Sequence, residues 1–494
     1  MPKKQRLILT SLIAFLPLTP PANACEDLIA GSTTAAALLS QTSNTIDRTK
    51  PPTPGPAPAA AFPDFKVRTL ENGLRVVVIP DDRSPTITLR LVIKAGSTMD
   101  GGSGLSGFTA GMLNRGTKTL DAAAFANAID SIGAKLEGGA GADSMSVSTS
   151  GLTKFTDRLL ELFADALVNP VFPADELVKE QRRALSGIAA SKKQPASLAS
   201  NLMGKVIFGE HPYGSFPTEE SVKAATRDAI VDFHKTWMVP NNSSLVIVGD
   251  VEPDAIVAKV EKAFAGWKKK DFPMIKQAAP PASVSGVTVH LVDRPESVQS
   301  NIIVCQTAPG RNFPDLPELN VVNSTLGGGF SGRLFQNLRE KHGYTYGSSS
   351  AFNYYKHGGY FQATAEARNE VTAPAIKEIL NEIGRIRTES VAADELELQR
   401  QYNVGNYLLS LESASRIAAR VQDIELYGLP ADFYKTYATR MSAVTPESAQ
   451  KLAQKYLSTE NVAIVVVGKA ETVKPELEKI GKVIVYDADL KPVK

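Results

Sequence analysis

A duplicated α+β domain, carried behind an export segment and a tether, is the architecture this sequence predicts. Three observations predict it. Two strings recur at one spacing: Ala174-Asp-Glu-Leu177 returns as Ala393-Asp-Glu-Leu396, and Asn242-Ser-Ser-Leu-Val-Ile-Val-Gly249 as Asn461-Val-Ala-Ile-Val-Val-Val-Gly468. Both are displaced by 219 positions (393 − 174 and 468 − 249), the mark of an internal repeat. Within each copy, strand-like runs are followed by paired helix-like runs, which favours α+β over a regularly alternating parallel sheet. Two proline-rich breaks in composition then cut the 494 residues into pieces of ordinary domain size.

The elements follow in order. Lys3, Lys4 and Arg6 precede an apolar run from Leu7 to Leu18 and then Ala22-Asn-Ala24. A charged n-region, a short h-region and an A-x-A site read as a secretory signal peptide over residues 1–24, too short to span a bilayer. The mature chain is expected to be exported and periplasmic, with no transmembrane segment; Cys25, next after the site, leaves lipid anchoring as the alternative. Residues 25–64, with Pro51-Pro-Thr-Pro-Gly-Pro-Ala-Pro58, are too poor in apolar residues to build a core and read as a disordered tether. The first domain is expected over 65–270. In it Val76 to Ile79, Thr86 to Ile93 and Leu245 to Gly249 read as strands, and Phe155 to Leu167 and Asp175 to Ile188 as helices. The serine-rich run Ser144 to Ser150 reads as an edge strand. A linker is expected over 271–286, and a second domain over 287–494.

Composition excludes several functions. Lys and Arg number 54 against 52 Asp and Glu, a formal charge of +2, so no electrostatic footprint for nucleic acid exists. Two cysteines exclude a disulfide scaffold and a cysteine-rich zinc module. Cys305 sits in a strand-like run and reads as a buried thiol, and Trp237 and Trp267 read as packing. Five histidines, His211, His234, His290, His342 and His357, include no pair at the spacing of a helical metal site.

Longer motifs carry a resemblance. Gly104-Leu-Ser-Gly-Phe-Thr-Ala-Gly-Met-Leu-Asn-Arg-Gly-Thr117 stands in the first copy. Leu326-Gly-Gly-Gly-Phe-Ser-Gly-Arg-Leu-Phe-Gln-Asn-Leu-Arg-Glu-Lys-His-Gly-Tyr-Thr-Tyr346 stands in the second. With His211-Pro-Tyr-Gly214 and Pro240-Asn-Asn-Ser-Ser, they closely resemble the pitrilysin and mitochondrial processing peptidase family, over essentially everything after residue 64. The resemblance implies homologous αβ-roll halves forming a half-chamber in which a peptide is held extended and cut on zinc. The family's inverted motif, H-x-x-E-H with a distant glutamate, supplies two imidazoles and a carboxylate to the metal and a base to the water.

Laid on this chain, the motif falls on Gly107, Ala110 and Gly111, and the distant ligand on Gly187. None carries a donor atom. Glu180 matches the family's supporting glutamate and survives. The chain is therefore expected to bind no cofactor and to be inactive alone, zinc belonging to a homologous partner subunit. The family's second contribution, an arginine and a tyrosine seven positions apart that contact the oxyanion, is matched by Arg339 and Tyr346. A helix over Gly332 to Lys341, closed by Gly343 and followed by a strand from Tyr344, is expected to aim both at one chamber. Gly327, Gly328 and Gly329 read as a loop that handles substrate or as a plain turn. The resemblance thus implies a non-catalytic, substrate-binding subunit of a heterodimeric zinc endopeptidase acting on peptides or unfolded proteins. The alternative is a pseudoenzyme acting only as a scaffold or binding protein in the cell envelope.

Overall fold

The computed structural model describes residues 61–274 and 284–493. The expected signal segment, Cys25, most of the tether and the middle of the linker lie outside these described residues.

Each half is built on a six-stranded sheet. The first comprises β1 (Lys66–Thr69), β2 (Arg75–Pro80), β3 (Thr86–Ile93), β4 (Lys135–Ala140), β5 (Met145–Leu152) and β6 (Ser243–Gly249), in the order β1-β2-β6-β3-β5-β4. The second comprises β7 (Val287–Asp293), β8 (Gln299–Ala308), β9 (Thr345–Tyr355), β10 (Gly358–Arg368), β11 (Val462–Gly468) and β12 (Lys482–Tyr486), in the order β12-β7-β11-β8-β10-β9. Five strands correspond one for one: β2 runs parallel to β6 as β7 does to β11, while β3 and β8 each lie antiparallel between two neighbours. The sixth position differs. β1 pairs antiparallel to β2, whereas β12 pairs parallel to β7, so the outer edge is filled from opposite ends of the repeat.

The central strands explain their own sequences. Every residue of β6 and β11 is buried, because both faces are covered. Leu245 and Ile247 enter the core of the first half, whereas Val246 and Val248 enter that of the second. Five helices of the first half are α1 (Leu105–Gly111), α2 (Ala122–Ser131), α3 (Thr156–Val168), α4 (Ala174–Lys193) and α5 (Pro195–Phe208). α5 leaves its own half: Leu198, Leu202, Met203 and Phe208 pack with Ile303, Cys305, Val465 and Val467 of the second sheet. The helix Ala414–Tyr427 returns the exchange, placing Ile417 and Val421 against Val77, Ile79, Val246 and Val248. Gln422 and Arg90 exchange two hydrogen bonds across this contact, and Glu425 pairs with Arg75 at 2.5 Å.

Several expectations change in detail. α4 runs past Ile188 to Lys193, stopped by Gln194, whose extended backbone is what a following proline imposes. All of the run Ser144 to Ser150 but its first residue lies in β5, which is interior, between β3 and β4; β4 is the edge. The helix expected over Gly332 to Lys341 is an α-turn, Arg333–Phe335, continued by a π-helix, Gln336–Lys341, and the strand begins at Thr345 rather than Tyr344.

Candidate functional site

α1 follows a tight turn in which Gly101, Gly102 and Gly104 all take positive φ, conformations open to glycine. Asp100 holds the turn, accepting hydrogen bonds from the Ser106 amide at 2.8 Å and the Ser106 hydroxyl at 2.6 Å. The helix lies so close to the edge strand that a Cβ on Gly138 would fall 2.1 Å from the Ala110 carbonyl oxygen. Gly138 is needed for that approach. Gly107 and Gly111, four residues apart on one helical face, point elsewhere: a Cβ at either would meet nothing within 4 Å. The same is true of Gly187 on α4.

Gly107 borders a cavity of about 480 Å³, lined also by Phe108, Ala140, Glu180, Ala184 and Phe216. Glu180, Ala184 and Gly187 share one face of α4 by their spacing. Gly107, Gly111 and Gly187, the positions on which the resemblance lays the ligand motif, all have room for a side chain. The surviving carboxylate of Glu180, its side chain 15% exposed, is paired instead with Arg115 at 3.2 Å and with Arg183. Among the described residues no group of three or more His, Cys, Asp or Glu is placed to hold a metal ion. The donor set at this position does not fit zinc: glycine and alanine offer no lone pair, and Glu180 is held by two guanidiniums.

The second place is in the other half. Arg339 lies on the π-helical turn, its guanidinium 4.9 Å from the centre of the Phe335 ring and 3.5 Å from Glu340. Gly343, at φ +62°, ends the turn, its amide donating to the Arg339 carbonyl at 3.0 Å. Tyr346 follows on β9 at a register shift, where Tyr346 and Gly347 stand opposite the single residue Glu366. This is a β-bulge, a device that re-aims a side chain. Thr345 stabilises it, its hydroxyl donating to the Gly347 carbonyl and accepting from the Gly347 amide. Tyr346 is 86% exposed and Arg339 is exposed beside it in sequence, so both reach solvent.

The three-glycine run divides. Gly327 is buried, and a Cβ there would come within 2.7 Å of the Ser350 amide nitrogen and 2.8 Å of Leu334; Gly328 would meet Ser324 at 2.6 Å. Gly327 is there for close packing of the helix Leu316–Gly327 against β9, and Gly328 lets the chain turn back over that helix's own last turn at Ser324; neither is an open substrate contact. Only Gly329 is open, with the Tyr402 hydroxyl 4.0 Å away. Phe330, beside it, is exposed and stacks edge-on against Phe335 at 5.0 Å. Phe330, Phe335 and Tyr402 were not singled out from sequence, although Phe330 closes the glycine run. His211-Pro-Tyr-Gly214 proves to be a joint between halves. Tyr213 donates to Asp143 at 2.7 Å, and Asp143 also accepts from the Lys356 amide in the β9–β10 turn at 2.8 Å.

The two repeated α+β halves define a class of fold, and comparison with known proteins identifies it. Residues 75–215 match the sequence model of the insulinase family, peptidase family M16, and residues 224–403 match that of the peptidase M16 inactive domain. The chain belongs to the M16 peptidase family. It is 26% identical over 401 residues to an uncharacterized zinc protease of Mycobacterium leprae, covering 79% of this chain and 88% of that one. It is 24% identical to one of Bacillus subtilis, covering 82% and 98%. A crystal structure of a peptidase M16 inactive domain from Pseudomonas fluorescens superposes with a TM-score of 0.76 at 27% identity, covering 82% of this chain and 98% of that one. A protease from Helicobacter pylori shares the fold, with a TM-score of 0.77 at 20% identity over 82% and 99% of the two chains.

Proposed function

We propose that this chain is the non-catalytic, substrate-binding subunit of an exported zinc metallopeptidase, presenting Arg339 and Tyr346 to a peptide bound at a homologous, zinc-bearing partner. One observation carries the reading: the donors are gone from Gly107, Ala110, Gly111 and Gly187, while Arg339 and Tyr346 stand intact and turned to solvent. In a chain acting alone, two exposed donors without a metal site in the same chain would have no partner chemistry.

The chemistry available to the pair is hydrogen-bond donation. As a peptide carbon becomes tetrahedral its oxygen gathers charge, and donors fixed in advance at that oxygen lower the barrier. The Tyr346 hydroxyl supplies one O–H donor without a charge; the Arg339 guanidinium supplies several N–H donors in a rigid plane, suited to peptide carbonyls. Stacking on Phe335 restrains the guanidinium before substrate arrives. The leader-like first residues support export to the periplasm.

The test is reconstitution with a zinc-bearing homologue from the same genome. Tyr346→Phe should leave the complex assembled and lower turnover by roughly 10²–10³, the usual effect of losing one oxyanion donor. Arg339→Ala should also raise KM, and Lys341→Ala should do neither. Wild-type kinetics in both variants would leave this chain as a scaffold only.

A further inference from the structure

The helix Ala393–Ser410 is the second-half counterpart of α4, displaced by the same 219 positions, and it wears an unexpected face. Leu398 and Tyr402 are each 52% exposed and Leu409 71%. With Gly405 they fall at a spacing of four, three and four, one stripe of the helix. The fold does not require apolar residues there. The equivalent positions of α4 are Lys179, Arg183, Ser186 and Ala190, polar or small. The stripe is a property of the second half alone. It also joins the exposed arginine: the Tyr402 hydroxyl lies over Gly329, Phe330 follows Gly329 and stacks on Phe335, and Phe335 carries the Arg339 guanidinium.

We propose that this stripe, with Phe330, is the surface that reads the side chains of the bound peptide, and that its ligand is an extended chain with large apolar residues at alternate positions. Three features choose an extended peptide over a folded partner. Leu398 and Tyr402 are separated by about 6 Å of helical rise, close to the ~6.6 Å between alternate side chains of an extended strand. Gly405 and Gly329 interrupt the surface with open backbone, since a Cβ at Gly405 would meet nothing within 4 Å, so a second backbone can come close. And the stripe is one helix wide and about 16 Å long, room for roughly five extended residues but far short of the area of a stable chain–chain interface. The inference rests on the reading of this chain as a substrate-binding subunit and specifies its substrate class.

The experiment needs no partner. The full chain is titrated into a fluorescein-labelled peptide bearing leucine at alternate positions, and into a control with serine at the same positions, with anisotropy as the readout. The leucine peptide should bind at least about tenfold tighter, the least that burying two such side chains implies. Tyr402→Ser with Leu409→Ser should abolish that preference while leaving the melting temperature unchanged, both residues being exposed. Equal affinity for the two peptides, no binding of either, or an unchanged preference in the double variant would overturn the proposal. So would a change in solution mass caused by the double variant, which would make the stripe a contact between chains. If the preference is lost in the stripe variant while Arg339→Ala and Tyr346→Phe keep wild-type turnover in the reconstituted complex, the oxyanion reading fails and this surface stands.

Discussion

Gly107, Gly111 and Gly187 show how much a single residue type can decide. The sequence tells that donors are absent there; only the structure tells that their places are open, since three added Cβ atoms would meet nothing within 4 Å. Glycine costs a helix interior about 1 kcal/mol relative to alanine, so its presence at both positions of α1 is not explained by helix stability. The wild-type chain should carry no stoichiometric zinc. The triple variant Gly107→His, Gly111→His, Gly187→Glu should gain about one zinc per chain by elemental analysis, removable by chelator, because the first two positions share a helical face. Failure of a folded triple variant to bind metal would mean that these positions do not converge. The Arg115–Glu180–Arg183 cluster was not legible beforehand, because ion pairs between a loop and a helix depend on tertiary approach. His290, on β7, gives a second residue-scale test. Burial drives its pKa down to about 4, and the Tyr486 hydroxyl lies 2.9 Å from its Nδ1. Burial lowers the pKa of His234 as well. A buried neutral histidine must take up a proton on unfolding in acid, so stability is complete above the unfolded value near 6.5. It falls as pH drops toward 4, by about 3 kcal/mol for His290. Melting temperatures from pH 7 to 4 should decline, and His290→Phe should flatten the slope.

Elements were legible where local pattern decides them and illegible where packing does. β3 was readable to its ends from Thr86 to Ile93, because a β-branched run bounded by turn residues has few other outcomes. β4, Lys-Leu-Glu-Gly-Gly-Ala, was not read as a strand: two glycines weaken it, yet Gly138 is what admits α1. Missing β4 is why β5, with serine on its alternate positions, looked like the edge. The π-turn and the bulge that aim Arg339 and Tyr346 each insert one extra residue, and no periodicity announces that. Their setting is tested through Gly327. Gly327→Ala forces a Cβ against the Ser350 backbone and Leu334, and overpacking of this kind costs about 1–3 kcal/mol. It should lower the melting temperature and the turnover of a reconstituted complex together, by displacing the helix that bears Arg339. Gly329→Ala, in the open, should change stability by less than about 0.5 kcal/mol. Equal effects of the two, in thermal melts, would contradict the packing role.

At the scale of the molecule the repeat was plain in sequence, but the exchange was not. α5 and the helix Ala414–Tyr427 are ordinary amphipathic helices, and an apolar face does not say which sheet it will cover. Their mutual loan means that neither half can complete its core alone: separation would bare Val246 and Val248 on one side and Ile303, Val465 and Val467 on the other. Phe62 adds a strap, leaving the first half to stack on Tyr434 at 5.4 Å. The Asp143 joint closes the contact between the β4–β5 turn, the His-Pro-Tyr-Gly segment and the β9–β10 turn. Two homologous halves would ordinarily be expected to melt as two domains. Here calorimetry should show one transition. Asp143→Ala removes a buried acceptor from the Tyr213 hydroxyl and the Lys356 amide, and should cost about 2–4 kcal/mol, since hydrogen bonds to charged groups are worth ~1.5–3 kcal/mol each and are only partly replaced. Tyr213→Phe leaves Asp143 its bond to Lys356 and should cost less. Both variants should move the single transition downward without splitting it, because the exchanged helices still hold each core closed. Two resolved transitions in the wild type would refute the interdependence; a split appearing only in Asp143→Ala would place the coupling in the joint and not in the helices.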